Sequence, residues 1–401
     1  MNKFEVKVVI GANYGDEGKG LATRYFTQKA VESGKECVNI LYNGGCQRGH
    51  TVDLENGSRH VFHHFGSGSF DDAYTYFSSD FMVNPVVFVE ERERLISKID
   101  GFKYTPTFIS PECRVITPYD IFINQIVENA RNKDRHGSCG CGIWETQQRY
   151  FNAIYDLKYG QLIEMSDTEI LRYLKNIATK HLPKRLEYYG ITEIPEEYKE
   201  LINSYNLAKH YINDLRQMER HTTQFHMGEL LGMYDSFIFE GAQGLELDED
   251  NTKQYPNVTA SKTGSLIPAQ ICRLMNADFE VCYVTRSYFT RHGAGAFPTE
   301  CPKDDINPYI EDKTNVFNDF QESIRYGKFD INEFNKRVKK DINASKAFIH
   351  NLTTSIMITH LNYTHGKIDG NCTINELSRK FNNTYISKTK FAEDIKKYAD
   401  F

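Results

Sequence analysis

Apolar residues follow two rhythms along this 401-residue chain. Residues 4–10 (FEVKVVI) form a short β-branched run that meets a glycine turn at once, the pattern of a buried parallel strand. Residues 20–33 then read as a helix, and residues 38–42 as a second strand ending in a second glycine cluster, residues 43–49. Residues 237–240, 279–285 (FEVCYVT) and 355–361 (SIMITHL) are further short strands, the first two running into polar loops. Between them, residues 164–231 are rich in Glu, Lys, Leu and Tyr and predict helices, broken near Pro183 and Pro195. Residues 330–346 add one more amphipathic helix. The alternation predicts an α/β fold: one large domain over residues 1–401 with a mostly parallel central sheet, P-loop-NTPase-like, carrying a helical insertion at about 164–231. Functional loops are expected at the carboxyl ends of the strands.

Composition narrows the function. Hydrophobic residues make up 40% and charged residues 25%, a balance that supports a packed core. A net charge of −6 argues against broad nucleic-acid binding, which needs clustered Lys and Arg. No run of about 18 apolar residues predicts a membrane span, and the first residues lack the pattern of a signal peptide. The nine cysteines are scattered. Their one tight pair, Cys139 and Cys141, has no partners at zinc-site spacing, so reduced thiols in a cytoplasmic protein are expected.

The chemistry starts in the loop after the first strand, G11-A-N-Y-G-D-E-G-K-G20. Glycines let backbone N–H groups approach a phosphate, and a following helix N-terminus adds positive potential. Gly15, Glu17, Gly18 and Gly20 are read as its binding backbone, and Lys19 as a charged donor to phosphate oxygens. The loop is neither a Walker A motif, since Gly20 stands where Ser or Thr belongs, nor a G-x-G-x-x-G dinucleotide loop. Asp16 would repel phosphate unless it holds Mg²⁺ or serves as a base. The plainer alternative is a cap on the following helix.

This loop resembles that of the adenylosuccinate synthetases, as do four later blocks in the same order. They are N43-G-G-C-Q-R-G-H-T-V52, F239-E-G-A-Q-G244, Y255-P-x-V-T-A-S261 and T290-R-x-G-x-G-x-F-P-T-E300. The resemblance implies a ligase acting in two steps. The 6-oxygen of a purine nucleotide, IMP, takes the γ-phosphoryl group of a nucleoside triphosphate, and the amine of L-aspartate then displaces the phosphate. By position, Asp16 is expected as base and Mg²⁺ ligand, His50 as the group facing the γ-phosphate, and Gln243 as the partner of the purine 6-position. The Gly49 carbonyl is expected on Mg²⁺, with Thr51 and Gly244 completing the nucleotide loops. Thr259 and Ser138 would hold the acceptor's monophosphate. Arg149 is matched to the family's arginine that reaches into the partner subunit's site, which implies a homodimer.

Three departures from the family pattern stand out. The arginine-dense aspartate loop, roughly TTGRPRR, is replaced by a stretch from Asp312 through Thr314, Asn315 and Asn318 to Arg325, leaving Thr314, Arg325 and Arg291 as aspartate-binding candidates. The strand that ends K-L-D in relatives ends here in H360-L-N362. A carboxamide matches the donor–acceptor edge of adenine, so Asn362 points to ATP where relatives use GTP. Gln47 replaces the usual Asn in the second glycine loop. These changes are shared in kind with phage relatives that use ATP and act on dGMP, which makes dGMP the alternative acceptor. Retention of Asp16 favours IMP. The other classes considered are an NTPase or kinase, for which no Walker B or kinase catalytic loop is present, and a non-catalytic nucleotide sensor, which would not need both Asp16 and His50.

Overall fold

The computed structural model describes residues 4–99, 101–312, 314–315, 317 and 321–399; Asn318 lies outside them. Its frame is a ten-stranded sheet. From one edge the order is Lys396–Lys397, Asn383–Ile386, Leu352–Thr359, Ala277–Arg286, Phe4–Gly11, Ser236–Gly244, Cys37–Leu41, Tyr74–Phe77, Thr107–Ile109 and Thr222–Gln224. Every neighbouring pair is parallel except the first, which is antiparallel.

Alternation along the first strand sets the layers. Val8 lies in register with Phe239 and Val281, and packs in the same apolar cluster as Phe334 and Val338 of helix Ile331–Lys346. Val9 joins the opposite layer, with Ala22, Phe26 and Ala30 of helix Lys19–Glu32. Covered on both faces, the strand needs apolar residues at nearly every position, and Val6, Val8, Val9 and Ile10 are fully buried. The adjoining strands Ser236–Gly244 and Ala277–Arg286 flank the first strand, so their carboxyl-end loops crowd around residues 11–18. That is the position where open α/β sheets collect ligands.

The helical part is longer than the residue pattern predicts. It runs from Pro118–Arg131 to Tyr205–Arg220, between strand Thr107–Ile109 and the edge strand Thr222–Gln224, and builds its own apolar cluster. Its first helix carries Pro at the start and a Thr117/Asp120 capping box, a start signal written in the sequence. Pro183 does not break the chain's helical course. Helix Asp167–Asn176 passes through a π-turn at Ile177–His181 into Leu182–Tyr188, which takes up the hydrogen bond that proline cannot make. Pro195 immediately precedes helix Glu196–Ile202.

Candidate active site

The first glycine loop is braced from inside. Glu17 is buried, and its Oε1 accepts from the backbone N–H groups of Gly15 at 2.8 Å and Asn13 at 3.0 Å. Burial pushes its pKa up, against the pull of Lys19, whose Nζ lies 3.6 Å away. Lys19 also donates to the Gly15 carbonyl and is 2% exposed. Both side chains therefore shape the loop. The following helix is capped by Gly18, at φ 99°, with no side-chain cap. Asp16 is therefore not a helix cap. It is half-buried, and no hydrogen bond or ion pair engages its carboxylate among the described residues.

Close backbone approach accounts for two glycines. A Cβ on Gly20 would lie 2.9 Å from the Thr51 carbonyl, so only glycine lets this helix meet the His50 strand. A Cβ on Gly244 would lie 2.4 Å from the Asn13 carbonyl, where the end of strand Ser236–Gly244 crosses the first loop.

His50 opens the hairpin of His50–Asp53 and Arg59–Phe62. Its Nδ1 lies 2.6 Å from Glu240 Oε1, and that carboxylate also accepts from the Ser67 N–H at 3.0 Å and the Ser67 hydroxyl. Arg48 Nη2 is 3.1 Å from the same Oε1. Arg48 and His50 hold Glu240 down to about pKa 2 despite its burial. Burial, reinforced by Arg48, lowers His50 to about 3 even with Glu240 beside it. The imidazole is therefore oriented by a carboxylate, with Nδ1 engaged inward. The block around Glu240 is visible in the sequence, but the hydrogen bonding of its carboxylate is not. The available signal was a carboxylate inside an apolar strand, which must find partners.

One cavity of about 540 Å³ gathers these groups. Gly15, Asp16, Gly49, His50 and Gln243 line it on the sheet side. Ser138, Thr259, Arg291 and Thr314 line it elsewhere. Ser138 Oγ donates to Asn124 Oδ1 at 3.0 Å, and Thr259 is fixed by its N–H to the Leu247 carbonyl at 2.8 Å. Gln47 also lines the cavity, and both ends of its amide are buried without a partner. Thr51 stands just outside, its hydroxyl 2.9 Å from that of Thr314. Arg286 was not anticipated. It pairs with Asp312 at 2.9 Å and donates to the Asp16 carbonyl, while Asp312 accepts from the Thr314 and Asn315 N–H groups. Arg286 and these hydrogen bonds hold the Asp312 carboxyl well below the usual range, and the set ties the Thr314 turn to the first loop.

Several expected residues are placed otherwise. Arg149 is fully buried, clasping Asp120 at 2.9 Å and donating to the Val115 and Tyr155 carbonyls and Tyr173. An arginine spent on its own helical core cannot reach a partner's site, so that expectation is corrected. Arg325 lies off the cavity wall. It pairs with Glu300 and donates to the Gly293 and Gly295 carbonyls. Arg291 is on the wall, but its guanidinium is committed to Gln254 and the Ala294 and Ala296 carbonyls. Neither arginine offers a free fork to a carboxylate in this arrangement. Asn362 is exposed, outside the cavity, in the turn after strand Leu352–Thr359. That strand end touches the first loop, because Thr359 Oγ1 donates to the Glu17 carbonyl at 2.7 Å.

A magnesium ion fits this chemistry. The unengaged Asp16 carboxylate and the exposed Gly49 backbone share the cavity wall. No cluster of three His, Cys, Asp or Glu suited to a metal exists among the described residues. A cation here would draw the rest of its oxygen ligands from bound phosphates and water, as Mg²⁺ does. All nine cysteines are free thiols.

Comparison with known proteins follows the same lines. The family model for adenylosuccinate synthetase matches residues 8–368. An adenylosuccinate synthetase of Mesoplasma florum is 31% identical over 305 residues, covering 75% of this chain and 66% of that protein. One from Limosilactobacillus fermentum is 29% identical over 314 residues, covering 76% and 67%. The chain thus spans about two thirds of the length of the curated relatives it matches. Among solved structures, fully ligated adenylosuccinate synthetase from Plasmodium falciparum aligns with a TM-score of 0.64 at 23% identity, covering 90% of this chain and 77% of that one. Cyanophage S-2L succinoaminodeoxyadenylate synthetase, bound to dGMP and to dATP as an energy donor, aligns with a TM-score of 0.60 at 14% identity, covering 99% and 96%. These two show a shared fold.

Proposed function

The chain belongs to the adenylosuccinate synthetase family, and from that premise we propose that it is a C–N bond-forming ligase joining a 6-oxopurine nucleotide, IMP, to L-aspartate. The observation that carries this reading is that Asp16, Gly49, His50, Gln243, Ser138 and Thr259, far apart in sequence, line one cavity. Asp16 takes the N1 proton of the purine and so pushes electron density onto the 6-oxygen. That oxygen attacks the γ-phosphorus, the O–P bond to the leaving diphosphate breaks, and a 6-phosphoryl purine results. The aspartate amine then adds at C6, and phosphate departs carrying the former 6-oxygen. Gln243 hydrogen-bonds the 6-position as charge develops there. His50, oriented by Glu240, faces the transferring phosphoryl group. Lys19 would turn from Gly15 toward phosphate oxygens when triphosphate fills the loop. Magnesium, held by Asp16 and the Gly49 carbonyl, would supply neutralising charge to the phosphates. Ser138 and Thr259 take the acceptor's monophosphate, and Thr314, on the cavity wall, is the proposed contact for aspartate.

The family also supports a homodimer, although Arg149 is not the residue that would cross it. No helix among the described residues is long and apolar enough to cross a membrane, in keeping with a cytoplasmic enzyme. A second reading, dGMP as acceptor with ATP as donor, is favoured by Asn362 at the strand end and by the missing arginine loop. The discriminating experiment is a grid of IMP, GMP and dGMP against ATP and GTP, with aspartate and Mg²⁺, read by mass spectrometry. Succinylated IMP as the main product supports the first reading. Succinylated dGMP supports the second, and no succinylated nucleotide refutes both.

A further inference from the structure

Arg48 is a buried charge beside the cavity that the proposed reaction leaves without work. Its side chain is 0% exposed, yet Nε and Nη1 have no hydrogen-bond partner. Nη2 alone is engaged, by the Phe65 carbonyl at 3.2 Å and Glu240 Oε1 at 3.1 Å. Burying an incompletely satisfied guanidinium is costly, and a buried ion pair rarely repays its desolvation in stability. Its place therefore calls for a role in orientation. Glu240 Oε1 is where Arg48, the Ser67 hydroxyl and His50 Nδ1 converge. A carboxylate pinned from two other directions has one position left in which to meet the imidazole.

We propose that Arg48 is a positioning residue: its guanidinium fixes Glu240, and Glu240 in turn holds the His50 ring with Nδ1–H inward and Nε2 toward the cavity. The inference rests on the reading above that His50 acts on the transferring phosphoryl group. Arg48 itself touches no substrate, because its side chain is sealed from the cavity. Its effect must therefore pass through His50.

A double-mutant cycle tests this, using R48M, H50A and R48M/H50A in the full-length protein with Mg²⁺ and whichever nucleotide pair the substrate grid selects. R48M is expected to lower kcat about 10- to 100-fold, the usual cost of losing an outer-shell partner, with KM for both nucleotides within about twofold. Adding R48M to H50A is expected to change kcat by less than about twofold. R48K, which keeps the charge, recovers part of the rate. In ¹⁵N-histidine NMR, the His50 signal is expected as a single Nδ1–H tautomer in the wild type and as a tautomer mixture in R48M. If R48M does not fold, E240Q must show the same kinetic and spectral signature, with R48K falling between it and the wild type. A loss from R48M that is equally large in the H50A background overturns the proposal, as does an unchanged kcat. Near-wild-type turnover in H50A instead refutes the role of His50, and the NMR tautomer then decides the Arg48–Glu240 link by itself.

Discussion

Two flanks of the cavity treat their polar side chains in opposite ways. On the sheet side, the Asp16 carboxylate makes no side-chain hydrogen bond among the described residues and the His50 ring is held by Nδ1 alone. On the other flank, Arg291, and Arg325 beyond the wall, are saturated by carbonyls of residues 293–296, Gln254 and Glu300. The first flank leaves polar groups open toward the cavity, as the proposed chemistry on phosphate requires. The second is organised around its own loop. The proposed amino-acid site is therefore where this chain departs most from the family pattern, and the proposed phosphoryl-transfer site is where it keeps to it.

The sharpest way to break the contrast is at Asp16. Asp16→Ala is expected to cost at least about a thousandfold in kcat with triphosphate binding nearly kept. Turnover within tenfold of wild type would remove the base. The next effect is at the strand end. Asn362→Asp is expected to shift the ratio of kcat/KM for ATP over GTP toward GTP by about 10- to 100-fold, matching the roughly 1–3 kcal/mol of a bidentate base contact. An unchanged ratio would detach Asn362 from the donor base.

Acid should loosen the sheet-side flank and the helical core together. Burial lowers His50 and His64 to about 3 and His181 to about 4. Between those values and the ordinary 6.5 the unfolded chain binds more protons than the folded one, so stability falls as pH drops from about 6.5. Each histidine contributes up to about 1.4 kcal/mol per pH unit over that window. A melting temperature that is flat from pH 7 to pH 5 would contradict their burial as neutral rings. The smallest effect is expected from Arg325→Ala. Its partly exposed pair with Glu300 is worth little, so KM for aspartate should stay within about threefold. A tenfold rise would mean that Arg325 leaves Glu300 for the substrate.

Glycine spacing made much of this readable in advance. Gly20 and Gly244 stand where a Cβ would meet backbone carbonyls, and the glycine blocks that hold them were written in the sequence. The strands around them were legible for the same reason, since a doubly covered parallel sheet demands unbroken apolar runs. Long side chains were not legible. Arg149, Arg291 and Arg325 are flexible enough to choose among many acceptors, and their partners at Asp120, Gln254 and Glu300 lie 25 to 37 positions away. Glu240 and Arg286 were missed because each sits in or at the end of a strand otherwise read as core. The early start of the helical part was missed although Thr117, Pro118 and Asp120 announced it.

The proposed chemistry turns on the fate of one oxygen. The acceptor nucleotide, labelled with ¹⁸O at the 6-position, is incubated with enzyme, triphosphate, aspartate and Mg²⁺, and the inorganic phosphate is analysed by mass spectrometry. One ¹⁸O per phosphate released, in step with succinylated product, is the expected result. Unlabelled phosphate accompanying that product would contradict phosphoryl transfer to the purine.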